Sequence, residues 1–126
     1  MVENKRIVVL VVEDEWLVRM DLVDILQSAA WTTYEAGNAS EAIAVLEQHD
    51  EVQVVFTDIQ MPGDMDGLAL SRYVRDRWPP TIIVVCSGNE RPGADEMPRD
   101  AAFIPKPYDR SALDKMLQTI RARLPG

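Results

Sequence analysis

Apolar and polar positions along this chain follow two rhythms that take turns. Residues 7–12, 52–57, 82–86 and 101–105 are short, nearly unbroken apolar runs rich in β-branched side chains, the pattern of strands buried on both faces of a parallel sheet. Thr32–Ala36 reads as a further, shorter strand, second in chain order. Between the runs the spacing turns helical. Residues 16–29 put Leu17, Met20, Val23 or Asp24, and Leu26 or Gln27 on one face, and a helix capped by Asn38 or Ser40 reaches about Gln48. Residues 68–77 form a third helix, stopped by Pro79-Pro80. A last helix runs from about Asp109 or Ser111 to Leu124, with Leu113, Met116, Leu117, Ile120 and Leu124 inward. Strands joined by right-handed crossovers predict an α/β, doubly wound, five-stranded parallel sheet. One connection breaks the rhythm. Residues 88–98 hold two prolines, two glycines and almost no apolar period, so the fourth helix is expected to be short or replaced by a loop.

Composition narrows the class. The 126 residues fit one domain with room for a core. A net charge of −8, with the basic residues dispersed, argues against direct nucleic-acid binding. The single Cys86 has no internal disulfide partner. No signal peptide or membrane-length apolar run is visible, and a cytoplasmic location is the default expectation.

The chemistry sits at the ends of the apolar runs. The first leads into Glu13-Asp14-Glu15, the third strand into Asp58, the fourth into Ser87 and the fifth into Lys106. Ligands of open α/β sheets bind beyond the carboxyl ends of the strands, so these residues are expected in one pocket. Packed carboxylates repel unless a hard cation lies among them, and all-oxygen ligands suit Mg²⁺, which recruits phosphate oxygens. A nearby lysine and hydroxyl would bind phosphoryl oxygens as a point charge and a hydrogen-bond donor. Asp58, alone at its strand tip, is the natural nucleophile, since carboxylates form aspartyl phosphates. Any one of these acids could simply cap the next helix; four strand tips carrying one chemical kit is harder to assign to capping.

The motifs Val11-Val12-Glu13-Asp14-Glu15, Thr57-Asp58-Ile59-Gln60-Met61-Pro62, Asp66-Gly67, Cys86-Ser87-Gly88 and Phe103-Ile104-Pro105-Lys106-Pro107, in that order, resemble the receiver domains of two-component response regulators. The resemblance covers residues 6 to about 124 and makes residues 1–126 one receiver domain of flavodoxin-like (β/α)5 order. It implies phosphoryl acceptance on Asp58, with Asp14 and Asp58 as Mg²⁺ ligands, the backbone carbonyl of Gln60 completing the set and Glu13 acting through water. It further implies that Lys106 binds the phosphoryl group, that Ser87 and Phe103 are the switch pair, and that the Lys106–Pro107 bond is cis. The implied partners are a histidine kinase or histidine phosphotransfer protein and an unidentified downstream protein, with no nucleic acid or membrane, and a second copy of the chain as a further candidate. Met1 and the numbering favour a stand-alone regulator, not a turnover enzyme.

Two departures from that family pattern stand out. Residues 61–67 carry one residue more than usual between Met-Pro and Asp-Gly, which should widen the loop without moving Asp58. Residues 88–102 are a few residues short. An aspartyl-nucleophile phosphatase of the haloacid-dehalogenase type would need an Asp where Gln60 stands, and FMN binding would need a phosphate loop where Glu13-Asp14-Glu15 would repel phosphate. Trp31, Trp78 and Cys86 read as packing residues, His49 as solvated, Asp66 as a helix cap, and Trp16 as a partner contact or pocket edge.

Overall fold

The computed structural model describes residues 6–88 and 91–124. The elements are β1 (Val8–Val12), α1 (Trp16–Ser28), β2 (Thr32–Ala36), α2 (Ala39–Gln48), β3 (Val54–Asp58), α3 (Gly67–Arg77), β4 (Ile82–Ser87), β5 (Ala102–Pro105) and α4 (Arg110–Arg123). All strand pairs are parallel, in the order β2-β1-β3-β4-β5. This is the doubly wound flavodoxin-like sheet expected from the apolar runs.

Alternation along the strands sorts the core into two layers. Val9, Val11, Val54, Phe56, Ile82, Val84 and Ile104 pack with α1, Trp31 and α4, through Leu22, Leu26, Leu113, Leu117 and Ile120. Leu10, Val12, Val55, Ile83 and Val85 pack on the other side with α2 and α3, through Ala42, Leu46, Leu70 and Val74. Helix ends are set locally. The side chains of Asn38, Asp66 and Asp109 accept bonds from the amides of Glu41, Ala69 and Ala112, satisfying N-terminal donors. Helix α1 ends as Ala30 adopts φ 67° and Trp31 donates back to the carbonyl of Leu26 at 3.0 Å, which sends the indole into the core.

The face of α1 agrees with the expected one at Val23 and Leu26 and departs from it at Leu17 and Met20. Leu17 and Met20 are 70% and 44% exposed, whereas Leu22, Val23 and Leu26 are buried. The segment is apolar nearly all round, so spacing alone offered two stripes; contact with Trp31 and α4 selects the one through Leu22 and Leu26.

Between β4 and β5 no helix forms among the described residues; residues 91–101 hold only turns. Arginines tie this segment down. Arg72 Nη1 donates to the carbonyl of Glu96 at 2.7 Å, and Arg75 Nε to that of Arg99 at 3.0 Å. Arg75 Nη1 also reaches the carbonyls of Pro79 and Thr81, at 2.6 and 2.7 Å. Met97, Ala101 and Phe103 pack partly against the α2–α3 layer. Asn89 and Glu90, part of the expected loop, lie outside the described residues. No helix among the described residues is long and apolar enough to cross a membrane.

Candidate functional site

Sheet register assembles the site. At the end of β1 the amide of Glu13 donates to Ala36 at 3.0 Å. Asp58, the last residue of β3, lies in register with Cys86. Beyond β5 the amide of Lys106 donates to the carbonyl of Ser87 at 2.9 Å. Residues far apart in the chain therefore meet at one sheet edge, where Lys106 Nζ lies 2.5 Å from Glu13 Oε1 and 3.3 Å from Asp58 Oδ1. The other Glu13 oxygen accepts from the amide of Glu15 at 3.1 Å. Glu13, Asp14 and Asp58 each offer a carboxylate oxygen within 4.8 Å of the others.

The electrostatics are those of a site short of positive charge. Burial raises the carboxyl of Glu13, opposed by its bond to Lys106. Burial also raises that of Asp58, with Lys106 opposing and the charge of Asp14 adding to the rise. At Lys106 burial works against the charged form, but the bond to Glu13 and the charges of Asp58 and Glu13 outweigh it, so its pKa is raised. One ammonium faces three carboxylates. An all-oxygen donor set with one exposed member, Asp14, fits a hard, partly hydrated cation such as Mg²⁺.

Every expected residue lies at this edge or beside it. Ser87 ends β4 and is 3% exposed. Gln60 follows Asp58 by two residues and is exposed. Phe103, half-buried on β5, lies with the α2–α3 layer, and the guanidinium of Arg91 sits 5.4 Å from its ring centroid. The Lys106–Pro107 peptide is cis. In the loop after Asp58, Pro62-Gly63-Asp64 are exposed, with Gly63 at φ 105°. A bond of 2.8 Å from the Gly67 amide to the carbonyl of Ile59 closes that loop and keeps Asp58 in the ladder. Cys86 is a core residue, its thiol pushed up to about 12 by burial. His49 is not simply solvated: its ring stacks on Tyr34 at 4.3 Å and Nδ1 lies 3.7 Å from Glu51. Trp16 is 60% exposed. Two features left no sequence signal, the direct pairing of Lys106 with Glu13 and the arginine bonds to main-chain carbonyls.

A doubly wound sheet with an acidic cluster and a lysine at its carboxyl edge defines a class of phosphate-handling signalling modules. The chain matches the response regulator receiver domain over residues 9–118 and belongs to that family, the receiver domains of two-component systems. It is 38% identical over 120 residues to the sensor kinase CckA of Brucella abortus, covering 92% of this chain and 12% of that protein. It is 33% identical over 109 residues to the transcriptional regulatory protein PdtaR of Mycobacterium tuberculosis, covering 83% of this chain and 52% of that one. The chain thus spans about half or less of these relatives. Among solved structures, a response regulator receiver protein from Pseudomonas putida superposes with a TM-score of 0.81 at 28% identity, covering 95% of this chain and 99% of that one.

Proposed function

We propose that this receiver accepts a phosphoryl group on Asp58 from the phosphohistidine of a kinase or histidine phosphotransfer protein. An Asp58 carboxylate oxygen forms the new O–P bond as the N–P bond breaks, and the electron pair of that bond stays on the imidazole nitrogen. Asp14, Asp58 and the backbone carbonyl of Gln60 would hold Mg²⁺, with Glu13 acting through water, and the ion's chemistry is to offset carboxylate repulsion and bind phosphoryl oxygens. Lys106 supplies the fixed positive charge beside the transferred group, and the Ser87 hydroxyl a donor. The observation that carries this reading is the Asp58 carboxylate 3.3 Å from Lys106 Nζ, inside the carboxylate cluster.

Approach of the donor is served by an open groove of about 650 Å³ beside Lys106, bounded by Leu17, Val18, Asp21 and Tyr108. The signal then passes to a downstream protein or a second copy of the chain through a change of shape. Ser87 is drawn toward the phosphoryl oxygens, Phe103 turns inward from beneath Arg91, and residues 91–98, anchored by Arg72 and Arg75, become more protected. The protein is a regulator acting in the cytoplasm, not a turnover enzyme.

The test is labelling with a small phosphodonor or a phosphorylated kinase in the presence of Mg²⁺. One acid-stable, base-labile phosphoryl group is expected on Asp58, and Asp58→Asn removes it. Undiminished labelling of that variant moves the acceptor elsewhere.

A further inference from the structure

We infer that Arg19 is a positioning residue for the metal-binding turn, fixing the peptide between Glu13 and Asp14 so that the Asp14 carboxylate faces Asp58. The inference rests on the reading of Glu13, Asp14 and Asp58 as a Mg²⁺ site. Arg19 lies in the first turn of α1 and its side chain is only 18% exposed. Its Nη1 donates to the backbone carbonyl of Glu13 at 2.6 Å. Its Nε donates to Glu35 Oε1 at 3.1 Å, near the end of β2. The guanidinium therefore braces the turn against a neighbouring strand.

The brace answers a local need. The N-cap of helix α1 is Glu15, whose side chain makes no capping bond, so the usual anchor for a strand-to-helix turn is missing. Both carboxylate oxygens of Glu13 are engaged, by Lys106 and by the Glu15 amide. The orientation of the Glu13–Asp14 peptide plane helps set where Asp14 points. Its oxygen is the atom that Arg19 holds. Groups that orient metal ligands from behind commonly matter 10- to 100-fold, roughly, in affinity.

Charge and geometry predict opposite signs here. A guanidinium beside a divalent cation repels it, so if Arg19 acted only as a charge its removal would tighten Mg²⁺ binding. If Arg19 orients the turn, its removal weakens binding. A purely structural role would lower the melting temperature and leave the affinity of the folded protein unchanged.

The experiment is an MgCl₂ titration followed by backbone amide shifts of residues 14–16, whose spectra also report folding. Arg19→Gln is expected to bind about tenfold more weakly than wild type, with Arg19→Lys in between, since an ammonium retains one donor for the carbonyl. Asp14→Ala serves as the reference for the site itself. If Asp14→Ala weakens binding while Arg19→Gln binds equally or more tightly, the positioning role is overturned and the site stands. If Asp14→Ala binds Mg²⁺ as wild type does, the site assignment falls and this inference with it.

Discussion

Replacing Gly67 with alanine tests how the backbone around Asp58 is held. Gly67 is the first residue of α3, and its amide donates to the carbonyl of Ile59 at 2.8 Å. A Cβ at this position would lie 1.8 Å from the Asp58 carbonyl oxygen, 2.6 Å from its carbon and 2.8 Å from the Ile59 Cα. All three obstacles are main chain, so no rotamer change relieves them. To restore even a 3.0 Å approach, helix or strand must retreat by about 1.2 Å. Overpacking of this kind costs about 1–3 kcal/mol, and the stretched bond to Ile59 adds roughly 1 kcal/mol. The better helix propensity of alanine returns under about 1 kcal/mol. The net loss is about 1–3 kcal/mol, a fall of roughly 5–15 °C in Tm for a domain of this size. Because the displacement falls on Asp58 itself, phosphorylation should slow as well, and a misplacement near 1 Å can cost on the order of 100-fold. Circular dichroism melts and labelling rates, measured where both proteins are folded, give the two numbers. Gly63→Ala is the control: its Cβ would meet nothing within 4 Å, although φ is 105°, so it pays backbone strain of about 1–2 kcal/mol with labelling near the wild-type rate. A Gly67→Ala protein that melts within 2 °C of wild type, roughly the shift from half a kcal/mol, and labels at its rate would refute the close-approach argument.

Two further outcomes are expected. Asp14→Ala should weaken Mg²⁺ binding far more than Asp64→Ala, because Asp14 belongs to the carboxylate cluster and Asp64 lies in the outer loop after Asp58; tryptophan fluorescence during MgCl₂ titration reads this, and equal effects would overturn the ligand assignment. In the unphosphorylated protein the amides of residues 91–97 should exchange quickly, at the low-stability end of local opening, and a phosphoryl mimic should slow them while residues 113–124 stay unchanged. Hydrogen-exchange mass spectrometry measures both, and strong protection of 91–97 without the mimic would replace the ordering switch with a rigid output surface.

What the chain made legible followed from period and from ends. The apolar runs placed the strands to within two residues, because a strand buried on both faces tolerates few polar side chains. Their tips brought Glu13, Asp58 and Lys106 together because a parallel sheet aligns its carboxyl ends. Asn38 and Asp109 took the caps for which Ser40 and Ser111 were alternatives. On helix α1 the spacing places Val23 and Leu26 inward, as they are, but misplaces Leu17 and Met20, because Trp16–Ser28 carries apolar residues around most of its circumference and only tertiary contact chooses among them. The arginine braces were invisible for a different reason. Arg72 and Arg75 reach carbonyls 24 residues away, and a carbonyl exists at every position, so its use as an acceptor leaves no residue type to notice. The pairing of Lys106 with Glu13, 93 residues apart, likewise follows from where the tips meet.

The alternation that sorts the core also divides labour across the sheet. Glu13, Asp58 and Lys106 line a small cavity with Val11, Phe56 and Cys86, on the side of α1 and α4. Phe103 belongs to the opposite side, with α2 and α3, and Ser87 follows Cys86 by one residue and so has the opposite parity. Under the proposed assignments, chemistry and readout stand on two sides of one wall. News of phosphorylation has to pass through that wall at its rim, by way of neighbouring residues of β4. Such a layout insulates the two tasks. Under the same assignments, a substitution around Phe103 can change how the switch moves without touching Glu13, Asp58 or Lys106 on the other side.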